Sequence, residues 1–145
     1  MRYKDRNFRD KCINIETNTR CTLQCHLCKR TTYTFYNKGI PFPGKDLTPT
    51  QFRKVIKYFN EVTFSGQLSD PIFGKHFIEL LEICHKNNIK TCVNTAATGK
   101  PEKWYIEAFN ANPNAAWTFG IDGMPEDSHK YRKNQDGHFL FEMML

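Results

Sequence analysis

The sequence contains no apolar stretch that approaches the roughly 18 residues of a membrane helix, so no membrane partner is expected. Its first residues, MRYKDRNFRDK, are charged and lack the apolar segment of a secretory signal peptide. A cytoplasmic, reducing location is therefore the expectation. In that environment cysteines stay reduced, so a tight cysteine cluster indicates metal binding or catalysis rather than disulfides. Internal repeats and low-complexity tracts are also missing.

The composition indicates one folded domain over residues 1–145. Hydrophobic residues make up 39% of the chain and aromatic residues 14%, which is too apolar for a disordered protein. The formal net charge is +6, and no run of five like charges occurs. A solvated basic surface is the simplest interpretation. A basic surface can also favour anionic partners such as nucleic acid.

Strand-like and helix-like patterns alternate along the chain. Thr48, followed by Pro49 and by Gln51 three residues after the cap, predicts a helix start. Asp70 with Pro71 predicts the next helix. The third helix is expected to begin near Pro101. The predicted strands are residues 12–17, 61–66, 89–96 and 115–122.

This alternation predicts a parallel α/β sheet, in which functional residues lie in the loops at the carboxyl ends of the strands. Four distinctive loops fall at that edge: the cysteine run after the first strand, SGQLSDP after the second, NTAATG after the third and GIDGMPEDSH after the fourth.

Three cysteines follow the first strand in a C-x3-C-x2-C run: Cys21, Cys25 and Cys28. A structural zinc site would need a fourth ligand, for which His26, Cys12, Cys84 and Cys92 are candidates. A [4Fe–4S] cluster held by three cysteines would leave one iron with an open coordination position. Three reduced cysteines without a metal are the remaining alternative.

The cysteine spacing resembles the signature of the radical S-adenosylmethionine (radical SAM) superfamily, and IETNTRC is similar to the family's lead-in. Three further segments extend the resemblance: SGQLSDP with the helix after it is similar to the "GGE-P" loop, VNTAATG to the third-strand end and WTFGIDG to the fourth strand. HKYRKNQDGHF resembles a segment of the peptide-modifying branch.

The resemblance implies an enzyme. Cys21, Cys25 and Cys28 would each ligate one iron of a [4Fe–4S] cluster, and S-adenosylmethionine would chelate the fourth iron. Reductive cleavage would give a 5'-deoxyadenosyl radical that abstracts hydrogen from a substrate. The implied cofactor-binding residues are Leu27 beside the adenine, Gly66 and Gln67 near the methionine amino group, and Asn94, Thr95 and Asp122 as polar contacts.

The family's usual core is a partial (βα) barrel of six strands, whereas about four strands are predicted here. An incomplete, amino-terminal portion of that core domain, from a truncated chain, is therefore the expectation. The expected partners are an external electron donor, a peptide, RNA or small-molecule substrate, and a second chain that could complete the barrel. The alternative function is a zinc-binding basic module that contacts nucleic acid.

Overall fold

The structure is a computed structural model and describes residues 11–145. The first ten residues lie outside it, and the expectation of a cytoplasmic location rests partly on them. Four parallel strands form one sheet in sequence order. Their bounds are Cys12–Ile15 (β1), Glu61–Phe64 (β2), Lys90–Thr95 (β3) and Ala116–Phe119 (β4).

Six α-helices accompany the described strands. They are Lys29–Tyr36 (α1), Pro49–Val55 (α2), Phe77–Lys86 (α3), Glu102–Ala111 (α4), Ser128–Tyr131 (α5) and Gly137–Met144 (α6), and a short 3-10 helix covers Pro71–Phe73. Within the described part of the chain, no helix is long and apolar enough to cross a membrane.

The predicted start of α2 is confirmed. The Thr48 hydroxyl accepts a hydrogen bond from the Gln51 backbone N–H at 3.3 Å, and the Thr48 N–H donates to Gln51 Oε1 at 3.0 Å. This reciprocal capping satisfies two backbone donors at the helix start. On the inner side of α2, Phe52 is completely buried.

The two faces of the sheet differ in polarity because side chains alternate along each strand. Val62, Phe64 and Val93 are buried against Phe52 and Phe77 in the apolar core. The alternate positions Asn94 and Thr118 face the opposite side, where they line a cavity. Helices α2, α3, α4 and α6 contribute residues to the apolar core, and the cavity lies on the other face of the sheet.

The helical expectations differ from the structure at two places. No helix is predicted between the first strand and Thr48, but the segment after the cysteines contains α1, whose residues include three threonines and three aromatic side chains. Asp70 caps the 3-10 helix rather than α3, which begins at Phe77. Gly74, which follows the 3-10 helix, leaves no room for a Cβ beside the Thr17 side chain.

Candidate functional site

A cavity of about 310 Å³ opens at the carboxyl ends of the strands. Its wall comes from the loops after β1 and β2, from the ends of β3 and β4, and from one residue of the segment after α5. The lining residues are Cys21, Leu23, Cys25, Cys28, Arg30, Ser65, Gly66, Gln67, Leu68, Ser69, Asp70, Asn94, Thr95, Ala96, Thr118, Gly120 and Arg132. Residues that are far apart in the sequence therefore share one space.

The three cysteines of the C-x3-C-x2-C run all line this cavity, and all three are partly exposed. Cys21 Sγ accepts a hydrogen bond from the Leu23 backbone N–H at 3.4 Å, which favours the thiolate form. Burial nevertheless outweighs it and raises the pKa of Cys21 to about 11. Burial is also the main reason that the pKa of Cys25 is raised. Positive charge beside these thiols would therefore favour their ionised, metal-binding form.

Two arginines supply positive charge at the cavity wall. Arg30 Nη2 donates a hydrogen bond to the Leu23 carbonyl, so the first turn of α1 is tied back to the middle of the cysteine loop. Arg132 forms an ion pair with Asp122. Arg132 lowers the pKa of Cys25, and Arg30 lowers the pKa of both Cys21 and Cys25, although burial dominates in each case.

Asp70 joins the loop after β2 to the end of β3. Its side chain accepts hydrogen bonds from the Thr95 hydroxyl at 2.8 Å and from the Ala96 N–H at 2.8 Å, as well as from the Ile72 N–H at 3.3 Å. The Asp70 carbonyl accepts from Asn18 Nδ2 at 2.9 Å. Desolvation raises the pKa of Asp70 because it outweighs these hydrogen bonds.

The loop between Ser65 and Ser69 is held in place through its backbone N–H groups. The Glu16 carboxylate accepts hydrogen bonds from the N–H groups of Gln67 and Leu68, at 3.0 Å for Leu68. A Cβ on Gly66 would overlap the Ser69 carbonyl oxygen. Gly66 is therefore required by the tight fold of the loop itself, whereas the sequence suggested only a close approach to a ligand.

The segment 132–135, which we call the strap, connects several loops of this edge. Gln135 Nε2 donates to the Ala96 carbonyl after β3 at 3.0 Å and to the Gly120 carbonyl after β4 at 2.8 Å. Asn134 Nδ2 donates to the Thr22 carbonyl at 3.2 Å, and the Lys133 carbonyl accepts from the backbone N–H of Gln24 at 3.0 Å. The strap therefore fixes the cysteine loop against the sheet.

Most of the residues predicted from the sequence meet at the cavity. Cys21, Cys25 and Cys28 line it together with Gly66, Gln67, Asn94 and Thr95. Two do not line it: Leu27 is 83% exposed, and Asp122 contacts it only through its partner Arg132. Their predicted contacts with a cofactor remain predictions.

Sequence reasoning missed Arg30, Arg132 and Gln135, and it treated Asp70 mainly as a helix cap. Asp70 does cap a helical turn, but its carboxylate also lines the cavity. Arg132 lies within a segment that carried the family resemblance, so its position could have been noted. Nothing local distinguishes Gln135 from a surface glutamine, because its two acceptors come from distant loops.

The cavity offers three thiols, which are soft ligands of the kind that a zinc ion and an iron–sulfur cluster both take. Within residues 11–145, no three His, Cys, Asp or Glu side chains are close enough together to hold one metal ion. His26 and the cysteines at 12, 84 and 92 do not line the cavity, so they offer no fourth ligand there. In a cluster each thiolate binds a different iron, and the three sulfurs need not converge on one point.

No protein-family model matches this sequence, and no curated protein matches it significantly. Among solved structures, BtrN in complex with AdoMet and 2-DOIA is similar, with a TM-score of 0.54 and 12% sequence identity. The similarity covers 89% of this chain but 55% of BtrN, so the chain spans about half of that protein. At this identity the likeness concerns the fold. It confirms the predicted α/β fold, a partial barrel with four parallel strands in one sheet.

Proposed function

We propose that this chain binds a [4Fe–4S] cluster and S-adenosylmethionine and acts as a radical SAM enzyme. The observation that carries the proposal is the meeting of Cys21, Cys25 and Cys28 in one cavity at the carboxyl edge of a parallel sheet. BtrN, which has a similar fold, was solved with AdoMet.

In this proposal the three thiolates hold three irons. The Leu23 N–H stabilises the Cys21 thiolate by donating to its sulfur, and the guanidinium groups of Arg30 and Arg132 offset the negative charge of the sulfurs. The strap holds the cysteine loop on the sheet so that the sulfurs keep their spacing. When bound, the cluster would supply one electron for the reductive cleavage of S-adenosylmethionine, and the chemistry made available would be hydrogen abstraction from a substrate.

The cavity wall offers suitable partners for the amino-acid part of S-adenosylmethionine, which carries an ammonium and a carboxylate. Asp70 and Arg132 provide charges of opposite sign on this wall. An ammonium near Asp70 would offset the burial that now raises its pKa. Gln67, Asn94 and Thr95 add neutral hydrogen-bonding groups. We propose that these residues orient the cosubstrate, and that the walls around it exclude water.

Anaerobic reconstitution with iron and sulfide tests the proposal. We expect about four irons and four sulfides per chain, with a broad visible absorbance of thiolate-to-iron charge transfer. Cys25→Ala should lose most of the bound iron and sulfide. Cys12→Ala is the matched control, because Cys12 is exposed and outside the cavity, and it should bind as much iron as the wild type. A colourless protein that binds one zinc and no sulfide would contradict the proposal.

Turnover is measured separately. The reconstituted protein should form 5'-deoxyadenosine from S-adenosylmethionine when a strong chemical reductant is present. A protein that carries the cluster but forms no 5'-deoxyadenosine would retain the first half of the proposal and contradict the enzymatic half.

A further inference from the structure

One hydroxyl group on the wall of the cavity has no hydrogen-bond partner. Ser69 lines the cavity, and its Oγ is buried without a partner among residues 11–145. A buried hydroxyl group without a hydrogen bond costs free energy, so such groups are rare in folded proteins. The partner that Ser69 lacks can come from a molecule bound in the cavity.

The backbone on both sides of Ser69 is fixed by hydrogen bonds. The Leu68 N–H donates to the Glu16 carboxylate at 3.0 Å, and the Asp70 N–H donates to the Arg20 carbonyl at 2.9 Å. The serine side chain itself has one rotatable bond, between Cα and Cβ. A group that is held in this way loses little conformational freedom when it binds a ligand.

A second polar atom without a partner belongs to Arg30, on the wall of the same cavity. Its Nε is buried and has no partner within the described residues, whereas its Nη2 donates to the Leu23 carbonyl. A guanidinium group can only donate hydrogen bonds, so the atom that Arg30 Nε lacks is an acceptor. The Ser69 hydroxyl can donate to the same kind of atom.

The charges on this wall indicate which acceptor fits. Arg132 forms an ion pair with Asp122, whereas Arg30 forms none within residues 11–145. A positive charge without an acidic partner favours an anionic acceptor, and hydrogen bonds to a carboxylate are stronger than those to a neutral oxygen. The anionic group of S-adenosylmethionine is the carboxylate of its amino-acid part.

We propose that Ser69 binds the carboxylate of S-adenosylmethionine and that its hydroxyl is left without a partner in the chain for this ligand. This inference rests on the proposed function. The ammonium and the carboxylate of the cosubstrate are attached to one carbon atom, so they occupy neighbouring places on the wall. An ammonium at Asp70 and a carboxylate at Ser69, the preceding residue, fit that arrangement. The Ser69 hydroxyl donates one hydrogen bond to a carboxylate oxygen, and no covalent bond changes.

The first test measures the stability of the full chain before the cluster is reconstituted. Ser69→Ala removes the unpaired hydroxyl group, so we expect the midpoint of thermal denaturation to rise by about 3 °C. A hydroxyl that serves only the structure would give the opposite sign. A lower or unchanged midpoint would overturn the inference, because the hydroxyl would then have a partner in the folded chain without the ligand.

The second test measures the dissociation constant of S-adenosylmethionine in the cluster-loaded protein by calorimetry. Ser69→Ala should raise it about tenfold, because a hydrogen bond to a charged group is lost. Decarboxylated S-adenosylmethionine, which lacks the carboxylate, should bind the variant and the wild type equally well. An unchanged dissociation constant for S-adenosylmethionine would overturn the inference. A tenfold loss with both ligands would also overturn it, since the contact would then lie on another part of the cosubstrate.

Thr31→Val is the matched control. Thr31 Oγ1 is also buried without a partner in the described part of the chain, but Thr31 does not line the cavity. Its replacement should raise the midpoint of denaturation in the same way and leave the affinity for S-adenosylmethionine unchanged. A loss of affinity as large as that in Ser69→Ala would overturn the assignment of Ser69, because removal of any unpaired hydroxyl would then have this effect.

The proposed function and this inference fail in different ways. A wild-type chain that binds neither a cluster nor S-adenosylmethionine would contradict the proposed function, and the inference with it. A wild-type chain that binds both, with a Ser69 variant that binds S-adenosylmethionine equally well, would contradict the inference alone.

Discussion

The two ends of the sheet hold very different numbers of buried polar groups. At the carboxyl end, Thr17, Asn18, Asp70, Thr95 and Gln135 are buried, and hydrogen bonds connect them across four loops. At the amino end, the buried polar pair is Asn112 and Thr91, joined by one hydrogen bond of 3.2 Å.

Buried polar groups are costly unless every partner is in place, so a network of them rarely serves stability alone. Its position beside the cysteine cavity indicates that the carboxyl end is specialised for a site. The connections at the amino end are short and cover residues 56–60, 87–89 and 112–115. This difference is visible in the structure alone, without reference to any relative.

Removing the Asp70 side chain should cause the largest loss of stability. Asp70→Ala leaves the Ala96 N–H, the Thr95 hydroxyl and the Ile72 N–H without their acceptor. We expect it to lower the free energy of unfolding by about 2–4 kcal/mol, measured by urea denaturation.

The comparison for Asp70→Ala is Asn112→Ala at the opposite end of the sheet. Asn112 donates to the Thr91 hydroxyl and accepts from the Asn114 N–H. The substitution should lower the free energy of unfolding by about 1 kcal/mol. If the Asn112 variant is as unstable as the Asp70 variant, the two ends do not differ in the way we describe.

Gly66→Ala tests whether the loop after β2 is shaped by its own packing. The new methyl group would overlap the Ser69 carbonyl oxygen, so the loop must move, at a cost of about 2 kcal/mol. Gly39→Ala provides the contrast, because Gly39 has a φ of 88° but open space around it, and it should cost about 1 kcal/mol. Thermal denaturation gives both values.

The two glycine variants should also differ in their affinity for S-adenosylmethionine. The Gly66 variant should bind S-adenosylmethionine more weakly in calorimetry of the reconstituted protein, and the Gly39 variant should bind it as the wild type does. Equal affinity in the Gly66 variant would show that this loop does not shape the binding site.

The helical core and the polar edge were predictable to different degrees. Apolar residues recur at helical spacing along α2 and α4, which is enough to indicate a buried face, and Phe52 and Tyr105 are buried there. The Thr48 cap follows from local chemistry. The meeting of the three cysteines in one cavity was predictable because all three lie within one loop. Gln135 could not, because its role depends on carbonyl groups that only the folded chain brings together.

Helix α1 was not predicted from the sequence, and the reason is also physical. Its threonine-rich, aromatic sequence has low helix propensity. Tertiary contacts help to compensate, among them the Arg30 hydrogen bond to Leu23 and the packing of Tyr33 on Phe42, with ring centroids 4.9 Å apart. Such contacts cannot be read from a local pattern.

Gln135→Ala tests the strap with a smaller expected effect. It leaves the Ala96 and Gly120 carbonyls without their side-chain donor, which should cost about 1 kcal/mol. Because the strap also holds the cysteine loop, the backbone N–H of Gln24 should exchange with deuterium faster in this variant than in the wild type.

Asn87→Ala is the control for the strap, because Asn87 makes one local bond to the Ile83 carbonyl at 2.7 Å, near the amino end of β3. It should leave exchange at Gln24 unchanged. Unchanged exchange at Gln24 in the Gln135 variant would show that the strap does not restrain the cysteine loop.

The smallest expected effect is the change in the free energy of unfolding with pH that the buried Asp70 carboxyl group causes. The folded-state pKa of Asp70 lies above the ordinary value of 3.8, so the folded protein holds this proton more tightly than the unfolded chain does. The stabilising contribution is complete below pH 3.8 and is lost as the pH rises through the folded-state pKa.

Asp70→Asn has no such titration and serves as the reference. The free energy of unfolding of the wild type, minus that of this variant, should therefore fall as the pH is raised from 3.5. A difference that increases with pH would mean that the hydrogen bonds to Asp70 outweigh its burial.

The central claim is that three cysteines leave one iron free for S-adenosylmethionine, and electron paramagnetic resonance of the reduced cluster tests it most directly. We expect the spectrum of the reconstituted protein to change when S-adenosylmethionine is added, because the cosubstrate would bind the iron that no cysteine holds. Identical spectra with and without saturating S-adenosylmethionine would contradict the account.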